Sequence, residues 1–333
     1  MVAAGGASAS RPAGARQTIK KAGRRKEDAP KLQSRLLLCY RRNCRSESNL
    51  KNQAHTGRPP RELPATEAIN PRTAALGRGT TLSTLRLLQR EDAAVAPAVR
   101  RCLPQIALVL DQLAPRFEAG GRLIYVGAGS SGRLGVLDAA EIPPTFGLPP
   151  TRVVGVIAGG RRALTRSVEG AEDQPMQARR DLEKLKLRPD DTVVGLSAGG
   201  RAPYTIAALD YARRRGAFTV AIANLPGSAL ARAAAIAIEP HTGAEAIAGS
   251  TRLKAGSAQK MILNLISNGL MIRTGRVRGN LMVHLRPSNA KLRQRAERLV
   301  VSLAGLQGPK AGSRARAALR RTGGAVEEAA LLA

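Results

Sequence analysis

Five short apolar runs recur through the middle of the chain: Leu123–Val126, Val153–Ile157, Thr192–Leu196, Phe218–Ile222 and Ala235–Ile238. Their hydrophobicity is continuous rather than alternating, which marks strands buried on both faces. Helical stretches separate most of them, so the strands pair in parallel. The pattern predicts an α/β fold with a parallel sheet covered on both sides. Aromatic residues make up only 2% of the 333-residue chain and Trp is absent, so the core must be built from Leu, Val, Ile and Ala. Ligands of such sheets bind at the carboxyl ends of the strands. That rule puts Gly127–Gly132 and Ser197–Arg201 on one rim.

Leu123 to Gly147 reads LIYVGAGSSGRLGVLDAAEIPPTFG: a strand, a glycine turn, then a helix. Gly127–Gly132 matches G-x-G-x-x-G, which alone is a weak signal for a dinucleotide. A dinucleotide site also needs an acid at the end of the second strand, and that strand ends Ile157-Ala-Gly-Gly160. The loop instead offers the hydroxyls of Ser130 and Ser131 beside amides at a helix N-terminus. That combination suits a compact phosphate monoester. The loop Gly129, Ser130, Ser131 and Gly132 is therefore the expected phosphate cradle. A tight strand–helix turn with no ligand would use the same glycines.

Two carboxylates stand out. Glu141 is expected where this helix stops, against Ile142 and Pro143-Pro144, a position able to desolvate a general acid. Ser167–Asp173 supplies Glu169, Glu172 and Asp173 past the second strand. They suit the same rim, or simply the acidic first turn of the next helix.

Outside the strands, Leu82–Arg116 carries two amphipathic helical patterns, with Leu85, Leu87, Leu88, Ile106, Leu108, Leu110 and Leu113 on the apolar faces and Pro104 at a helix start. Further helices are expected at 257–273 and 289–303, and two short ones around Gly323-Gly324. Residues 1–62 are basic, with little periodicity, and read as disordered; an Arg-rich, acid-poor leader also resembles a transit peptide. Residues 1–60 hold 14 Lys/Arg against three acids, leaving most of the net +30 spread over the rest of the chain. No aromatic residues interleave with the basic ones, so a single-strand stacking platform is missing and nucleic-acid binding stays the bland alternative for the tail. Cys39, Cys44 and His55 lack the spacing and the fourth ligand of a zinc knuckle, so no metal is expected. Three irregular cysteines fit a reducing cytoplasm. No apolar run reaches membrane-spanning length, and no secretory signal is evident.

The motifs resemble the N-acetylmuramic acid 6-phosphate etherases of the sugar isomerase (SIS) superfamily, over about Leu63 to Val300. The resemblance rests on Thr66-Glu67 with Asn70-Pro71, GAGSSGRLGVLDAAEIPPTFG, VEGAED at 168–173, Gly200-Arg201 with Pro203-Tyr204, GSTRLKAGSAQK at 249–260 and GNLMV at 279–283, in that order. It implies a three-layer αβα SIS sandwich at 63–303, with a helical N-terminal segment, and a truncated helical appendage at 304–333. It also implies a cofactor-free lyase that removes D-lactate from N-acetylmuramic acid 6-phosphate by elimination then hydration, working as a homodimer with the site near the subunit interface. Residue by residue, Glu141 matches the family's acid and Glu172 its acid–base residue. Arg201, Arg252 and Lys254 match segments able to contact anionic groups.

The chain departs from the family at Gly199 and Ala202, where serine and threonine hydroxyls are usual. Losing such a contact costs roughly 0.5–1.5 kcal/mol. A non-catalytic SIS-type sugar-phosphate regulator is therefore the alternative, with an aldose–ketose isomerase behind it.

Overall fold

The computed structural model describes residues 63–285 and 287–333. The basic extension, with Cys39, Cys44 and His55, lies outside the described residues. The N-terminal helices are α1 (Thr81–Asp92), α2 (Val95–Arg100) and α3 (Leu103–Glu118). These are three helices where two patterns were read, and Pro104 sits in the first turn of α3. Leu85 and Leu108, expected on covered faces, are 56% and 57% exposed, whereas Ile106 and Leu113 are buried.

The core follows in strict alternation: β1 (Leu123–Gly127), α4 (Gly129–Phe146), β2 (Val153–Ile157), α5 (Pro175–Lys184), β3 (Thr192–Leu196), α6 (Pro203–Arg214), β4 (Phe218–Ile222), α7 (Ala229–Ala233), β5 (Ile236–Ile238) and α8 (Lys254–Arg273). All five strands are parallel, in the order β2-β1-β3-β4-β5. Alternate residues feed opposite layers. Leu123 and Tyr125 pack with α2, α3, α4 and α8, while Ile124 and Val126 pack with α5, α6 and α7. The result is the three-layer αβα sandwich. From β1 the chain turns to β2 on one side and returns to β3 on the other, so the sheet has its topological switch point between β1 and β3. Such a point opens a crevice beyond the strand ends.

The helix expected to stop at Glu141 continues to Phe146. Ile142 and Phe146 are buried in the first core layer. Pro143 and Pro144 lie inside the last turns, and Gly147 ends the helix at φ 66° with its N–H on the Pro143 carbonyl. A two-stranded antiparallel ribbon, β6 (Val277–Arg278) and β7 (Leu281–Met282), follows α8. Then come α9 (Ala290–Leu303), α10 (Ala311–Arg321) and α11 (Val326–Leu332). These three helices share one apolar cluster, with Ala296, Val300, Ala315 and Val326 buried together. α9 thus packs with the C-terminal helices, and the boundary expected after Leu303 falls inside this cluster. Among the described residues no single helix is long and apolar enough to cross a membrane.

One buried polar network fixes the leading segment to this frame. Glu91, at the end of α1, is 3% exposed. Its Oε2 accepts from Lys254 Nζ at 2.6 Å and from Asn70 Nδ2 at 2.7 Å. Arg72 reaches both oxygens, with Nε to Oε1 at 2.7 Å and Nη2 to Oε2 at 2.9 Å. Asn70 also donates to the Ala244 carbonyl at 3.2 Å. Glu245 is fully buried and receives the amides of Lys254 and Ala255, both at 2.9 Å, capping α8. Burial pushes the Glu245 carboxyl up despite these bonds. Arg72, assisted by Lys254 and Asn70, holds the Glu91 carboxyl at about 2 against the opposing effect of burial.

Because that value lies below an unfolded glutamate's value near 4.3, the folded chain binds fewer protons. Its stabilisation is complete above about pH 4.3 and is lost as pH falls toward about 2. Glu91→Gln should therefore flatten the acid limb of a stability–pH profile followed by urea unfolding. Glu91→Ala leaves the Lys254 ammonium buried and unpaired, and should cost roughly 3–5 kcal/mol at neutral pH.

Candidate functional site

Beyond the switch point lies a cavity of about 460 Å³, within the roughly 300–1,000 Å³ usual for small-molecule sites. Five segments build it. The β1–α4 loop brings Ala128–Ser131, and the β3–α6 loop brings Ser197–Gly199 and Arg201–Pro203. Pro64, Thr66 and Glu67 come from the leading segment, and Gly249 and Thr251 from the turn before α8. Glu172 and Asp173 complete the lining from the 3-10 turn Ala171–Asp173.

The β1–α4 loop is held by backbone packing. A Cβ on Gly132 would lie 2.6 Å from the Gly127 carbonyl oxygen and 2.7 Å from Ile157 Cγ1. A Cβ on Gly127 would lie 2.8 Å from the Gly132 nitrogen. Only glycine lets helix and strand approach so closely. Gly129 has φ +51° and faces open space. Ala128 provides no side-chain cap, so the first amides of α4 have no partner within the helix. They border the cavity beside Ser130, half-buried, and Ser131, 8% exposed. Amides and hydroxyls at the positive end of a helix dipole make an anion cradle.

The β3–α6 loop adds a second helix start. Gly200 has φ +61°, and a Cβ there would sit 2.2 Å from Ser228 Oγ, so glycine is required. Gly199 is different: a Cβ would meet nothing nearer than Thr66 Oγ1 at 3.9 Å. A serine therefore fits at 199, and its absence is not a packing necessity. The next helix is pinned by Tyr204, whose buried hydroxyl donates to Asp181 Oδ2 at 2.8 Å. Burial raises the Tyr204 phenol above its usual value.

Of the sequence-predicted residues, Gly129, Ser130, Ser131, Glu172, Asp173 and Arg201 line this cavity, and Gly132, Glu141, Glu169, Arg252 and Lys254 do not. Gly132 packs behind the loop. Arg252 is exposed outside the lining although its neighbour Thr251 is inside. Lys254 is the clearest correction: its ammonium is 0% exposed and paired with Glu91, which removes it from anion binding. Glu141 is exposed on α4, so the expected desolvation is absent. It also lies 12 residues beyond Gly129, roughly 18 Å along the helix. Glu67, by contrast, lines the cavity without having been singled out as a site residue. Its signal was adjacency to Thr66 in a short motif, with no helix or strand to orient it. Its Oε2 lies 3.1 Å from where a Gly249 Cβ would be.

A larger cavity of about 760 Å³ lies between the end of α4 and the C-terminal helices, beside Gly147, Arg276, His284 and Glu327. Of its two carboxylates, Glu327 Oε1 pairs with Arg278 at 2.6 Å, and Glu328 borders it beside Glu327. No residue of the five-stranded sheet lines it, so the smaller switch-point cavity is the candidate site.

The two glycines separate packing from ligand roles. Gly132→Ala should destabilise the fold by about 1–3 kcal/mol, whereas Gly199→Ala should leave thermal unfolding unchanged. Denaturant melts of both variants read the difference.

Comparison with known proteins agrees with the architecture. The family model of the glucokinase regulatory protein N-terminal SIS domain matches residues 105–213, and that of the SIS domain matches 175–268. The N-acetylmuramic acid 6-phosphate etherase of Symbiobacterium thermophilum is 54% identical over 256 residues, covering 76% of this chain and 84% of that one. The etherase of Streptomyces coelicolor is 52% identical over 271 residues, covering 81% and 86%. A solved phosphoheptose isomerase from Francisella tularensis is 17% identical with a TM-score of 0.45, over 58% of this chain and 98% of that one. At half identity over three quarters of its length, this chain belongs to the N-acetylmuramic acid 6-phosphate etherase family.

Proposed function

We propose that the chain is a carbon–oxygen lyase that converts N-acetylmuramic acid 6-phosphate and water to N-acetylglucosamine 6-phosphate and D-lactate, a step of cell-wall amino-sugar recycling. The observation that carries this reading is the joining of an anion cradle and a carboxylate in one cavity: the α4 amides with Ser130 and Ser131, and Glu172 on the same wall. The phosphate sits on the cradle, and Arg201 at the exposed mouth favours an anionic ligand. The ring opens to the aldehyde. Glu172 removes the proton on C2, made acidic by the neighbouring carbonyl. Lactate departs from C3 as an acid protonates its oxygen, and water adds to the C2–C3 double bond. The chemistry draws on carboxyl groups alone for proton transfer. The cytoplasm is the matching compartment for a phosphorylated sugar and for a chain with only three cysteines.

Glu141 is the proposed acid. Its place on α4, about 18 Å from the cradle, is too far for the cavity of its own chain. A homodimer that sets the exposed face of one α4 against the partner's cavity brings it within reach. Glu67, already in the cavity, then positions a sugar hydroxyl.

Mixing two inactive variants tests this arrangement. Glu141→Gln and Glu172→Gln should each abolish lactate release when assayed alone. Refolded together, they should recover about a quarter of wild-type activity, because half of the dimers then hold one intact site. No recovery from a mixture shown to form mixed dimers would overturn the sharing of Glu141 across the dimer, and an active Glu141→Gln would place Glu141 outside the reaction.

A second reading, a sugar-phosphate regulator without catalysis, is favoured by the missing hydroxyls at Gly199 and Ala202 and by the match to the glucokinase regulatory protein domain. Protein that binds the phosphosugar but releases no lactate would establish it. If the enzyme reading holds, Gly199→Ser restores a hydroxyl facing Thr66 and should lower KM by up to about tenfold with little change in kcat. Initial-rate lactate assays measure both.

A further inference from the structure

A second cavity of about 170 Å³ adjoins the first and shares Ala128, Gly129 and Glu172 with it. Its floor is three buried alanines from three different segments: Ala158 past β2, Ala163 in the 3-10 turn Gly160–Leu164, and Ala171 beside Glu172. Val168 closes one side. Besides Glu172, three polar groups border it, and they hold one another or the backbone. Ser167 Oγ donates to Glu169 Oε1 at 2.5 Å. Arg133 Nε donates to the Ala163 carbonyl at 2.8 Å, and its Nη2 to the Arg166 carbonyl at 3.1 Å. The cavity therefore offers a small apolar floor under a polar rim, and the carboxylate of Glu169 at that rim opposes a second anion.

We propose that this cavity is a subsite for the acetamido group on C2 of the phosphosugar, and that it selects N-acetylated sugars. The proposal rests on the reading of Glu172 as the base. The carbon that gives up its proton to Glu172 is the one carrying the acetamido group. Glu172 is part of the wall between the two cavities, so a sugar that presents its C2–H to this carboxylate from the main cavity carries the other C2 substituent to the edge of the smaller one. Gly129 borders both spaces, and its missing side chain leaves the passage between them open. The acetyl methyl then rests on the alanine floor. The amide N–H and carbonyl stay at the polar rim. The lactyl group is the competing occupant, but its carboxylate would face Glu169. Longer acyl chains meet the closed floor.

Calorimetric titration of the full chain with N-acetylglucosamine 6-phosphate and with glucose 6-phosphate tests the subsite. The acetylated ligand should bind about tenfold or more tightly. Ala163→Val raises the floor and should reduce that preference to within about twofold, while glucose 6-phosphate affinity is unchanged. Should this variant fail to fold, wild-type protein titrated with N-propanoyl and N-butanoyl glucosamine 6-phosphates gives the same reading. Affinity should fall stepwise with acyl length. Equal binding of the two first ligands, or affinity independent of acyl length, overturns the subsite. So does an Ala163→Val variant that keeps the preference but no longer releases lactate, since the floor then serves the lactyl group. Failure of both ligands to bind instead overturns the sugar-phosphate reading on which the subsite depends.

Discussion

The cavity depends on an ion pair that never touches it. Glu91 and Lys254 are separated by 163 positions, and both are buried. Taking two charges out of water is costly, and the cost is offset here only because Asn70 and Arg72 complete the hydrogen bonding of the carboxylate. The geometric consequence matters more than the net energy. Closing this network draws the leading segment onto the start of α8. Thr66 and Glu67 then join Gly249 and Thr251 in lining the cavity, with Glu67 beside Gly249. Without it the switch point would be an open cleft between two loops.

Within that frame the site divides its work by element. The sheet supplies a crevice because its strand order reverses between β1 and β3. The start of α4 borders the crevice with its unpartnered amides, Ala202 and Pro203 border it at the start of α6, and a short 3-10 turn carries Glu172. Ala171 is buried in the second core layer, so this acidic turn is anchored through an apolar neighbour rather than through the carboxylate itself. Glu172 has no hydrogen-bond partner among the described residues, which leaves it available for proton transfer.

The sheet and the cradle were legible because both are local. A run such as Val153–Ile157 declares burial on two faces without reference to anything else, and three of the five strands match their expected bounds to the residue. The glycine turn likewise needs only its own backbone. The errors came from long-range pairing. The resemblance offers Lys254 as a contact for an anionic group, and nothing near it in sequence announces Glu91 as its partner. Glu141 was placed at a helix end because Pro143-Pro144 normally stops a helix. The two prolines do remove the helical partners of the Ala139 and Ala140 carbonyls, and of these two residues only Ala140 is exposed. Burial of Ile142 and Phe146 then favours carrying the helix one turn further.

The backbone-to-backbone contact of Gly127 with Gly132 has a consequence for change over time. The direction of the cradle amides is set by main-chain contact, before any side chain at 129–131 is chosen. Positions 130 and 131 can therefore be exchanged without re-aiming the donors, which are inherited with the strand–helix junction itself. A scaffold of this kind can keep its grip on one charged group while its other loops are rewritten for a new reaction.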